Sequence, residues 1–531
     1  MRLLLPLFVL VLAGCQTSRL TPTQDAAWRS LDTLRTVPER TAYVHTSRYA
    51  EVTAYLDRVF AATPARPGAP RLFRTTMGTT VEGRTMPLVV WGRVNGASPE
   101  AVQAAGKLVV YIQGNIHAGE VEGKEAMQTF VRDLARGRYD RLADRLVLLV
   151  NPIYNADGNE RVNLRNRGLQ LGPVGGMGQR PNAQGLDLNR DMMKLASPEA
   201  RALVATLNAY DAAALIDLHT TDGSFHGYRL TYSPGLHPGS PEAITAFLRG
   251  TLYPRVTERM RASGMETYYY GNLGEGPRGA DSLSWSSFDP RARFVTNYAG
   301  LTGRLGILSE AYSYDSFEDR IAATYRFVVE TLDVLHDRAD AVRAMRRAAA
   351  PAAVPTRTRF AAPTDATILL GEVTPEPHPV TGETMLRRSG PARAVTIPEY
   401  GTFETVESVP TARAYLVPDS ARAALATLRA HGFTVRPASG TVRAERFVVD
   451  STRAAPRPFQ GVRERTVWGR YAAPEAVSGA GWMEVTASNP ALAPLLGVLL
   501  EPRSEDGLVT WGFFEAALVG ASASPVLRAV D

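Results

Sequence analysis

Short apolar runs alternate with amphipathic stretches between about residues 85 and 347. The runs are continuous in Val, Leu and Ile, which is typical of strands that are buried on both faces of a sheet. The stretches between them, such as KEAMQTFVRDLARG and SPEARALVATLNAY, place apolar residues three or four positions apart and predict helices. The pattern therefore predicts an α/β domain with a mainly parallel or mixed sheet and helices on both faces. The strand-like runs are MPLVVWGRV, KLVVYIQGN, RLVLLVNPI, AAALIDLHT and RLGILSEAY.

The pattern changes beyond residue 347. A segment rich in proline and alanine, 348–365, predicts a linker. Short Val- and Thr-rich runs follow it, together with one clear helical stretch, DSARAALATLRAHG. We therefore predict an α/β domain at 15–347 and a C-terminal β-rich α+β domain at 366–531.

The amino terminus, MRLLLPLFVLVLAGC, has one early positive charge and an apolar segment that is too short to span a membrane as a helix. It predicts a signal peptide at 1–14. The sequence LAGC resembles a bacterial lipobox, in which the cysteine is lipidated, and Cys15 is the only cysteine of the chain. We therefore expect a protein of the bacterial cell envelope that is attached to the membrane by a lipid anchor at Cys15. The alternative is an ordinary signal peptide with a chance cysteine.

Composition narrows the class of protein. The chain has 531 residues, of which 45% are hydrophobic, so it is long enough for more than one domain with a sizeable core. Its formal charge is +6, but the basic residues are spread along the chain and form no run interleaved with aromatic residues. We therefore expect no nucleic-acid partner.

Polar residues collect where the predicted strands end. KLVVYIQGN leads into His117 and Glu120, ALIDL leads into His219, and LGILS leads into Glu310. Ligands of an open parallel sheet bind outside the carboxyl ends of its strands, so these side chains are expected to converge. Two nitrogens and one carboxylate suit Zn²⁺ and leave a fourth position for water, and Glu310 is then free to act as a base. Taken alone, each histidine can be interpreted as a loop residue and each glutamate as a solvated acid. The HxxE motif is also weak evidence by itself.

Five motifs in this order, HAGE, NADG, LDLNRD, ALIDLHT and ILSEAY, resemble the zinc metallocarboxypeptidase family, the carboxypeptidase A-like peptidases. The resemblance covers about residues 40–340. It implies a carboxypeptidase-like fold and one Zn²⁺ per chain. It also implies roles for five residues: zinc ligation by His117, Glu120 and His219, activation of water by Glu310, and orientation of the first histidine by Asp187.

The same resemblance implies how a substrate is held. Asn189 and Arg190 match the pair that binds the terminal carboxylate of a peptide, and the planar guanidinium of arginine suits a carboxylate because it forms two parallel hydrogen bonds. The family also has an arginine that polarises the scissile carbonyl. We favour Arg167 for that role; the other arginines in this region are Arg161, Arg165 and Arg180.

The tyrosine that closes over the substrate in the family has several candidates here. Tyr298, in TNYAG, is one of them, and Tyr268 to Tyr270 are others. Packing in the core is the alternative interpretation for all of these tyrosines. The segment 265–297, which would line the side-chain pocket, resembles no pattern from which a specificity follows.

These expectations lead to a zinc-dependent hydrolase of peptide bonds that removes C-terminal residues from peptides with a free C-terminal carboxylate. One alternative keeps the metal but changes the bond, giving a zinc amidase, a deacylase or a hydrolase of cell-wall peptides. A second alternative is a non-catalytic envelope binding protein on the same scaffold. The second alternative predicts that a ligand or the base is lost, whereas the sequence has all four residues.

Overall fold

The computed structural model describes residues 30–221, 223–277, 280–346 and 351–530. Its centre is an eight-stranded sheet with the strand order β1-β2-β4-β3-β5-β10-β6-β7. Strands β8 and β9 belong to a separate sheet. The strands of this part of the chain are β1 Arg71–Thr79, β2 Thr85–Gly92, β3 Leu108–Gly114, β4 Leu146–Asn151, β5 Ala214–Thr220, β6 Leu230–Pro234, β7 Thr267–Tyr269, β8 Asn272–Gly276, β9 Ala280–Ser286 and β10 Leu305–Ala311.

The central strands β4, β3, β5 and β10 are parallel to one another, as predicted. The flanking strands make the sheet mixed. β2 is antiparallel to β4 and pairs with β1 in a hairpin, and β6 is antiparallel to β10. Because β3, β5 and β10 run in the same direction, their carboxyl ends meet at one edge of the sheet.

Helices cover both faces of this sheet, so the predicted α/β fold class is confirmed. Alternate residues of β3 enter different cores: Val109 and Tyr111 belong to one apolar cluster, and Val110 and Ile112 belong to the other. The helices are α1 Val37–Arg40, α2 Tyr49–Ala62, α3 Pro99–Gln103, α4 Glu122–Ala135, α5 Ala156–Glu160, α6 Pro198–Ala209, α7 Glu242–Phe247, α8 Tyr253–Ala262, α9 Val295–Leu301, α10 Phe317–Asp337 and α11 Ala339–Met345.

Two glycines let helix α4 begin directly on the strand ends. A Cβ atom at Gly114, the last residue of β3, would lie 2.8 Å from the backbone of Gly123 in the first turn of α4. A Cβ atom at Gly123 would lie 2.7 Å from the Cβ of Leu218 in β5. Only glycine allows this approach of backbone to backbone, which brings the loop between β3 and α4 over the end of β5.

The C-terminal part is β-rich, as predicted, and it has three helices where the sequence predicted one. A seven-stranded sheet contains β15 to β21, and the segment predicted as a linker, 348–365, contains β11, which pairs with β14. The predicted helix DSARAALATLRAHG is α12. The elements are β11 Ala353–Phe360, β12 Thr364–Pro377, β13 Thr384–Tyr400, β14 Phe403–Pro410, β15 Ala414–Pro418, α12 Arg422–Ala430, β16 Thr434–Pro437, β17 Thr441–Ala454, β18 Arg465–Tyr471, β19 Glu475–Ser478, β20 Trp482–Thr486, α13 Ala493–Leu500, α14 Glu515–Leu518 and β21 Ala523–Ala529.

The two parts of the chain share a core and a sheet. The apolar cluster on the α6 and α9 face of the central sheet continues into the C-terminal part, where it includes Leu428 of α12 and Leu495 of α13. Strand β13 pairs in parallel with β9, so that β12-β13-β9-β8 form one four-stranded sheet. The C-terminal part therefore covers one face of the central sheet, where α6 and α9 also pack.

Residues 1–29, which contain the predicted signal peptide and Cys15, lie outside the described residues. Among the helices of the described ranges, none combines the length and the apolar character needed to cross a membrane. The lipid anchor therefore remains a prediction from the sequence.

A buried charged pair joins the two parts. Arg293, just before α9, is 1% exposed, and its Nε donates to Asp506 Oδ1 at 2.9 Å. The backbone nitrogen of Arg293 donates to the other oxygen of Asp506 at 2.7 Å. A second carboxylate, that of Glu464, accepts from the same guanidinium at 2.6 Å. Trp511 Nε1 also donates to Asp506, which therefore links the segment before α9 to the C-terminal core.

We predict that Asp506→Ala lowers the thermal stability of the protein. The change takes from the buried Arg293 guanidinium one of its two carboxylate partners, with Glu464 remaining, and breaking a buried ion pair costs about 3–5 kcal/mol. Thermal unfolding followed by circular dichroism would measure the loss. Asp450→Ala is the matched control, because Asp450 pairs with Arg470 on the surface and its side chain is 53% exposed. Equal melting temperatures for the two variants would contradict the prediction.

Candidate metal centre

Three predicted ligands meet at the edge where β3, β5 and β10 end. Glu120 lies in the turn before α4, and its oxygens are 3.0 Å from His117 Nδ1 and 2.9 Å from His219 Nδ1. One ligand atom from each of the three residues lies within 4.8 Å of the others. All three residues are buried. The structure thus brings together the set that the sequence predicted.

Each histidine is held from its other ring nitrogen by an aspartate. His117 Nε2 lies 3.0 Å from Asp187 Oδ1, which agrees with the role expected of Asp187. His219 Nε2 lies 2.9 Å from Asp217 Oδ2. Asp217 in turn accepts a hydrogen bond from Gln113 at 2.9 Å. Carboxylates in this position fix the tautomer and the orientation of a ligating ring.

The sequence analysis missed Asp217. In the sequence it is one polar residue within the apolar run ALIDLHT, and it reads as part of a buried strand. The available signal is its position two residues before His219. Alternate residues of a strand point to the same face, so Asp217 and His219 necessarily lie on the same side of β5.

The donor set fits a zinc ion. If each ring donates Nε2–H to its aspartate, both Nδ1 lone pairs face the carboxylate of Glu120, and this arrangement requires a cation or a proton between them. Donor atoms at about 2.0–2.2 Å from a tetrahedral zinc lie about 3.3–3.6 Å from one another, a few tenths of an ångström more than the 2.9 and 3.0 Å found here. Two imidazole nitrogens with one carboxylate oxygen also leave a fourth position open.

The electrostatics of the cluster agree with a cation site. Burial opposes the ionisation of Glu120, but three neighbouring groups outweigh it and hold the pKa of its carboxyl well below the usual range: His117, Arg167 and His219. Burial also lowers the pKa of the His219 imidazole. The carboxylates of Asp217 and Glu120 outweigh that effect and raise the pKa well above its ordinary value. The buried carboxylates therefore favour a positive charge in this cluster.

Glu310 lies beside the cluster in the register of the central sheet. Strand β10 pairs with β5 so that Glu310 is opposite His219. Both residues line a cleft of about 610 Å³, together with His117 and Glu120. The predicted base therefore faces the same space as the predicted metal ligands.

The predicted carboxylate-binding pair lines the same cleft. Asn189 and Arg190 form a short 3₁₀ turn that begins after Asp187, whose side chain accepts from the backbone nitrogen of Asn189 at 2.9 Å. Asn189 Oδ1 accepts from the backbone nitrogen of Val295 at 2.8 Å. The guanidinium of Arg190 stacks on the ring of Phe294, with Cζ 3.8 Å from the ring centre.

Two arginines approach the cluster. Arg167, the one favoured from the sequence, donates to Glu120 at 3.1 Å and to the carbonyl oxygen of Thr220 at 3.1 Å. Its side chain is 15% exposed, and it is not among the residues that line the cleft. Arg180 does line the cleft, its side chain is 41% exposed, and its guanidinium pairs with Asp187 at 2.8 Å. The geometry therefore places Arg180 closer to the role that the sequence analysis gave to Arg167.

The other two arginines of this region lie elsewhere. Arg165 pairs with Glu383 on the surface, and Arg161 pairs with Glu82. Neither lines the cleft.

Tyr298 does not line the cleft, so its predicted place in the substrate site is corrected. It is 1% exposed in α9, and its hydroxyl lies 3.0 Å from Nδ1 of His431 in the C-terminal part. The reason is the orientation of α9, which directs this side chain into the core that the two parts share. Tyr270, one of the alternatives, lines the cleft instead.

We predict that the purified protein binds zinc and that His219→Ala loses it. Removing one of three ligands leaves a nitrogen and a carboxylate, which form a much weaker site for zinc. Elemental analysis of the purified protein and of the variant measures the occupancy. His45→Ala is the control, because His45 is an exposed histidine outside the cleft. Full zinc occupancy in His219→Ala would contradict this ligand assignment.

The comparisons with known proteins agree with the site. Residues 66–195 match the model of the zinc carboxypeptidase family. The matched segment contains six of the predicted site residues: His117, Glu120, Arg167, Asp187, Asn189 and Arg190. A comparison with curated proteins gives no match.

Several solved structures are similar to this chain. A metallo-carboxypeptidase from Burkholderia cenocepacia is 20% identical, with coverage of 55% of this chain and 70% of that one and a TM-score of 0.39. A metallo-carboxypeptidase from Pseudomonas aeruginosa, in complex with (2-guanidinoethylmercapto)succinic acid, is 18% identical, with coverage of 56% and 70% and a TM-score of 0.39. The carboxypeptidase A of Helicoverpa armigera is 16% identical, with coverage of 60% and 80% and a TM-score of 0.41.

The resemblance inferred from the five motifs is therefore supported by an independent match to the segment that carries three of them, HAGE, NADG and LDLNRD. The other two motifs supply His219 and Glu310, which the fold brings to the same cleft. Residues 66–195 are thus similar to the zinc carboxypeptidase family, and this similarity supports hydrolysis by a metallopeptidase.

Proposed function

We propose that this protein is a zinc carboxypeptidase that removes C-terminal residues from peptides with a free terminal carboxylate. The observation that carries the proposal is one cleft that contains the His₂Glu cluster, the carboxylate of Glu310 and the guanidinium of Arg190. A hydrolytic site with a fixed cation at one end suits a substrate with an anion next to the scissile bond.

The charge of Arg190 supports the binding of a substrate carboxylate in the cleft. The nearest carboxylate oxygen of Asp187 lies 4.0 Å from Arg190, whereas the same carboxylate is 2.8 Å from Arg180 and also holds His117. Burial lowers the pKa of the Arg190 guanidinium, which nevertheless remains a cation at neutral pH. A substrate carboxylate would supply the charged partner that Asp187 provides only in part.

The residues of the cleft would have separate roles in the reaction. His117, Glu120 and His219 would hold the zinc, one ion per chain, which supplies Lewis acidity and lowers the pKa of water toward neutrality. Glu310 would accept a proton from the attacking water and deliver it to the leaving amine. Arg180, which lines the cleft, would stabilise the negative charge that develops on the carbonyl oxygen.

The alternative activity, that of a zinc amidase or a cell-wall peptide hydrolase, uses the same cluster and the same base. The two activities differ in the substrate that they require. An enzyme that cleaves within a chain, or next to a neutral group, meets no substrate carboxylate that the cation of Arg190 could bind. Matched peptides that differ only in a free or amidated C-terminus therefore separate the two functions.

The cellular location follows from the sequence alone. The lipobox-like LAGC supports attachment through Cys15 to a membrane of the bacterial cell envelope. Anchoring there would expose the enzyme to peptides outside the cytoplasm. The intact mass of protein purified from the native host would test the lipidation, and a chain that begins beyond Cys15 would exclude it.

We predict that Glu310→Gln binds zinc but hydrolyses peptides about 10²–10⁴-fold more slowly, the usual loss when a general base is removed. Glutamine has nearly the same shape as glutamate but cannot accept the proton. Rates on a free-acid peptide, measured together with zinc content, test this. Near-normal turnover with zinc present would assign the base to another residue.

We predict that Arg190→Ala slows cleavage of free-acid peptides much more than cleavage of their amides. Leaving a desolvated charge without its partner costs about 2–5 kcal/mol, so the selectivity of the unmodified enzyme should be about 30-fold or more and should fall in the variant. The ratio of kcat/KM for the two peptides measures it. Arg165→Ala is the control, because Arg165 pairs with Glu383 at the surface. Equal cleavage of both peptides by the unmodified enzyme would contradict the carboxypeptidase proposal.

A further inference from the structure

The C-terminal part contacts the segment before Asn189 and Arg190 through the tip of the β17–β18 hairpin. Phe459 and Val462 exchange two backbone hydrogen bonds, at 2.8 and 3.0 Å, which enclose Gln460 and Gly461 as a two-residue turn. Both enclosed residues have positive φ, 49° and 79°. This is the conformation of a type I′ turn, which matches the twist of the strands that it joins. The tip is therefore fixed by its own backbone.

The side chain at this tip is bonded to the catalytic domain. Gln460 Oε1 accepts from the backbone nitrogen of Asp187 at 2.8 Å. Asp187 begins the turn that carries Asn189 and Arg190, and its own side chain holds His117. A hydrogen bond from the C-terminal part thus fixes the backbone at the point where the metal cluster and the carboxylate-binding turn meet.

A second set of contacts links the C-terminal part to the turn that carries Asn189 and Arg190. The C-terminal part holds Arg293 through the buried ion pair described above. The next two residues touch the carboxylate-binding pair: the ring of Phe294 lies under the guanidinium of Arg190, and the nitrogen of Val295 donates to the side chain of Asn189. The position of that pair therefore depends on where Arg293 is anchored.

We propose that the C-terminal domain completes the end of the cleft that recognises the substrate carboxylate, with Gln460 and Arg293 as positioning residues for Asn189 and Arg190. This inference rests on the proposed function, since it concerns recognition of the same carboxylate. Neither residue lines the cleft, so each acts through its neighbours. The family match ends at residue 195, so Gln460 and Arg293 are both outside it.

The physical reason is the geometry of the ion pair. An arginine binds a carboxylate best through two parallel hydrogen bonds, and this arrangement tolerates little displacement of the guanidinium. The short turn at residues 188–190 has few hydrogen bonds of its own to fix it. Contacts from Gln460 and from the segment after Arg293 supply that constraint, so their loss should weaken binding of free-acid substrates in particular.

The test is Gln460→Asn. Asparagine tolerates positive φ well in a type I′ turn, so the hairpin should fold normally, but its side chain is one methylene shorter and no longer reaches the nitrogen of Asp187. We expect KM for a free-acid peptide to rise by about 2- to 10-fold, the range that corresponds to one hydrogen bond. The amidated peptide should be affected less, so the selectivity ratio should fall. Gln103→Asn, which changes an exposed glutamine far along the chain, is the matched control.

Binding to the metal-free protein gives a second readout that does not depend on turnover. Calorimetry with N-acetyl-leucine and with its amide should show a preference for the acid in the unmodified protein and in Gln103→Asn, and a reduced preference in Gln460→Asn. A variant with reduced kcat for both peptides and an unchanged selectivity ratio would overturn the positioning role. If the unmodified enzyme itself shows no preference for the free acid, the proposed function fails, and this inference fails with it.

Discussion

The buried carboxylate of Glu120 is the interaction on which the catalytic centre depends. It is 2% exposed and lies within hydrogen-bond distance of two imidazoles and a guanidinium from three separate segments: His117, His219 and Arg167. A carboxylate in such a place is costly unless it is paired and hydrogen-bonded. The cationic and polar groups around it therefore have to be assembled by the fold, and they hold the loop after β3 against the ends of β5 and β10.

The central sheet brings the groups around Glu120 together. Its four parallel strands are apolar on both faces, so burial fixes their register, and the register places Glu310 beside His219. The same strands carry polar side chains inside the apolar layers, where Gln113 bonds to Asp217 and Asp217 holds His219. Buried polar groups of this kind are tolerated when every partner is present. Here they orient a metal ligand, which accounts for their presence in an otherwise apolar sheet.

The C-terminal part is an integral part of the folded protein. It shares an apolar core with α6 and α9, and its strands β12 and β13 extend the sheet formed by β8 and β9. Removing it would expose that core and would leave Arg293 without the carboxylate of Asp506. Because the residues after Arg293 contact Asn189 and Arg190, the part of the cleft that these two residues line depends on both parts of the chain, whereas the three candidate metal ligands come from the first part alone.

The amino-acid sequence by itself determined the sheet and which candidate ligands and candidate base meet at its edge. Continuous apolar runs identify strands that are buried on both faces, and the carboxyl ends of parallel strands must meet at one edge, so His117, Glu120, His219 and Glu310 could be placed together without coordinates. The C-terminal β-rich part was predicted equally well, because short Val- and Thr-rich runs depend on local preference.

Only the tertiary structure decided which side chains face the cleft. The sequence favoured Arg167 over Arg180, but their loops fold so that Arg180 lines the cleft while Arg167 donates hydrogen bonds to Glu120 and Thr220. Tyr298 lies against His431, and Gln460 reaches Asp187 across more than two hundred residues. The direction of a side chain on a helix or a loop depends on what packs against it. When that partner is distant in the chain, no local pattern of the sequence records it.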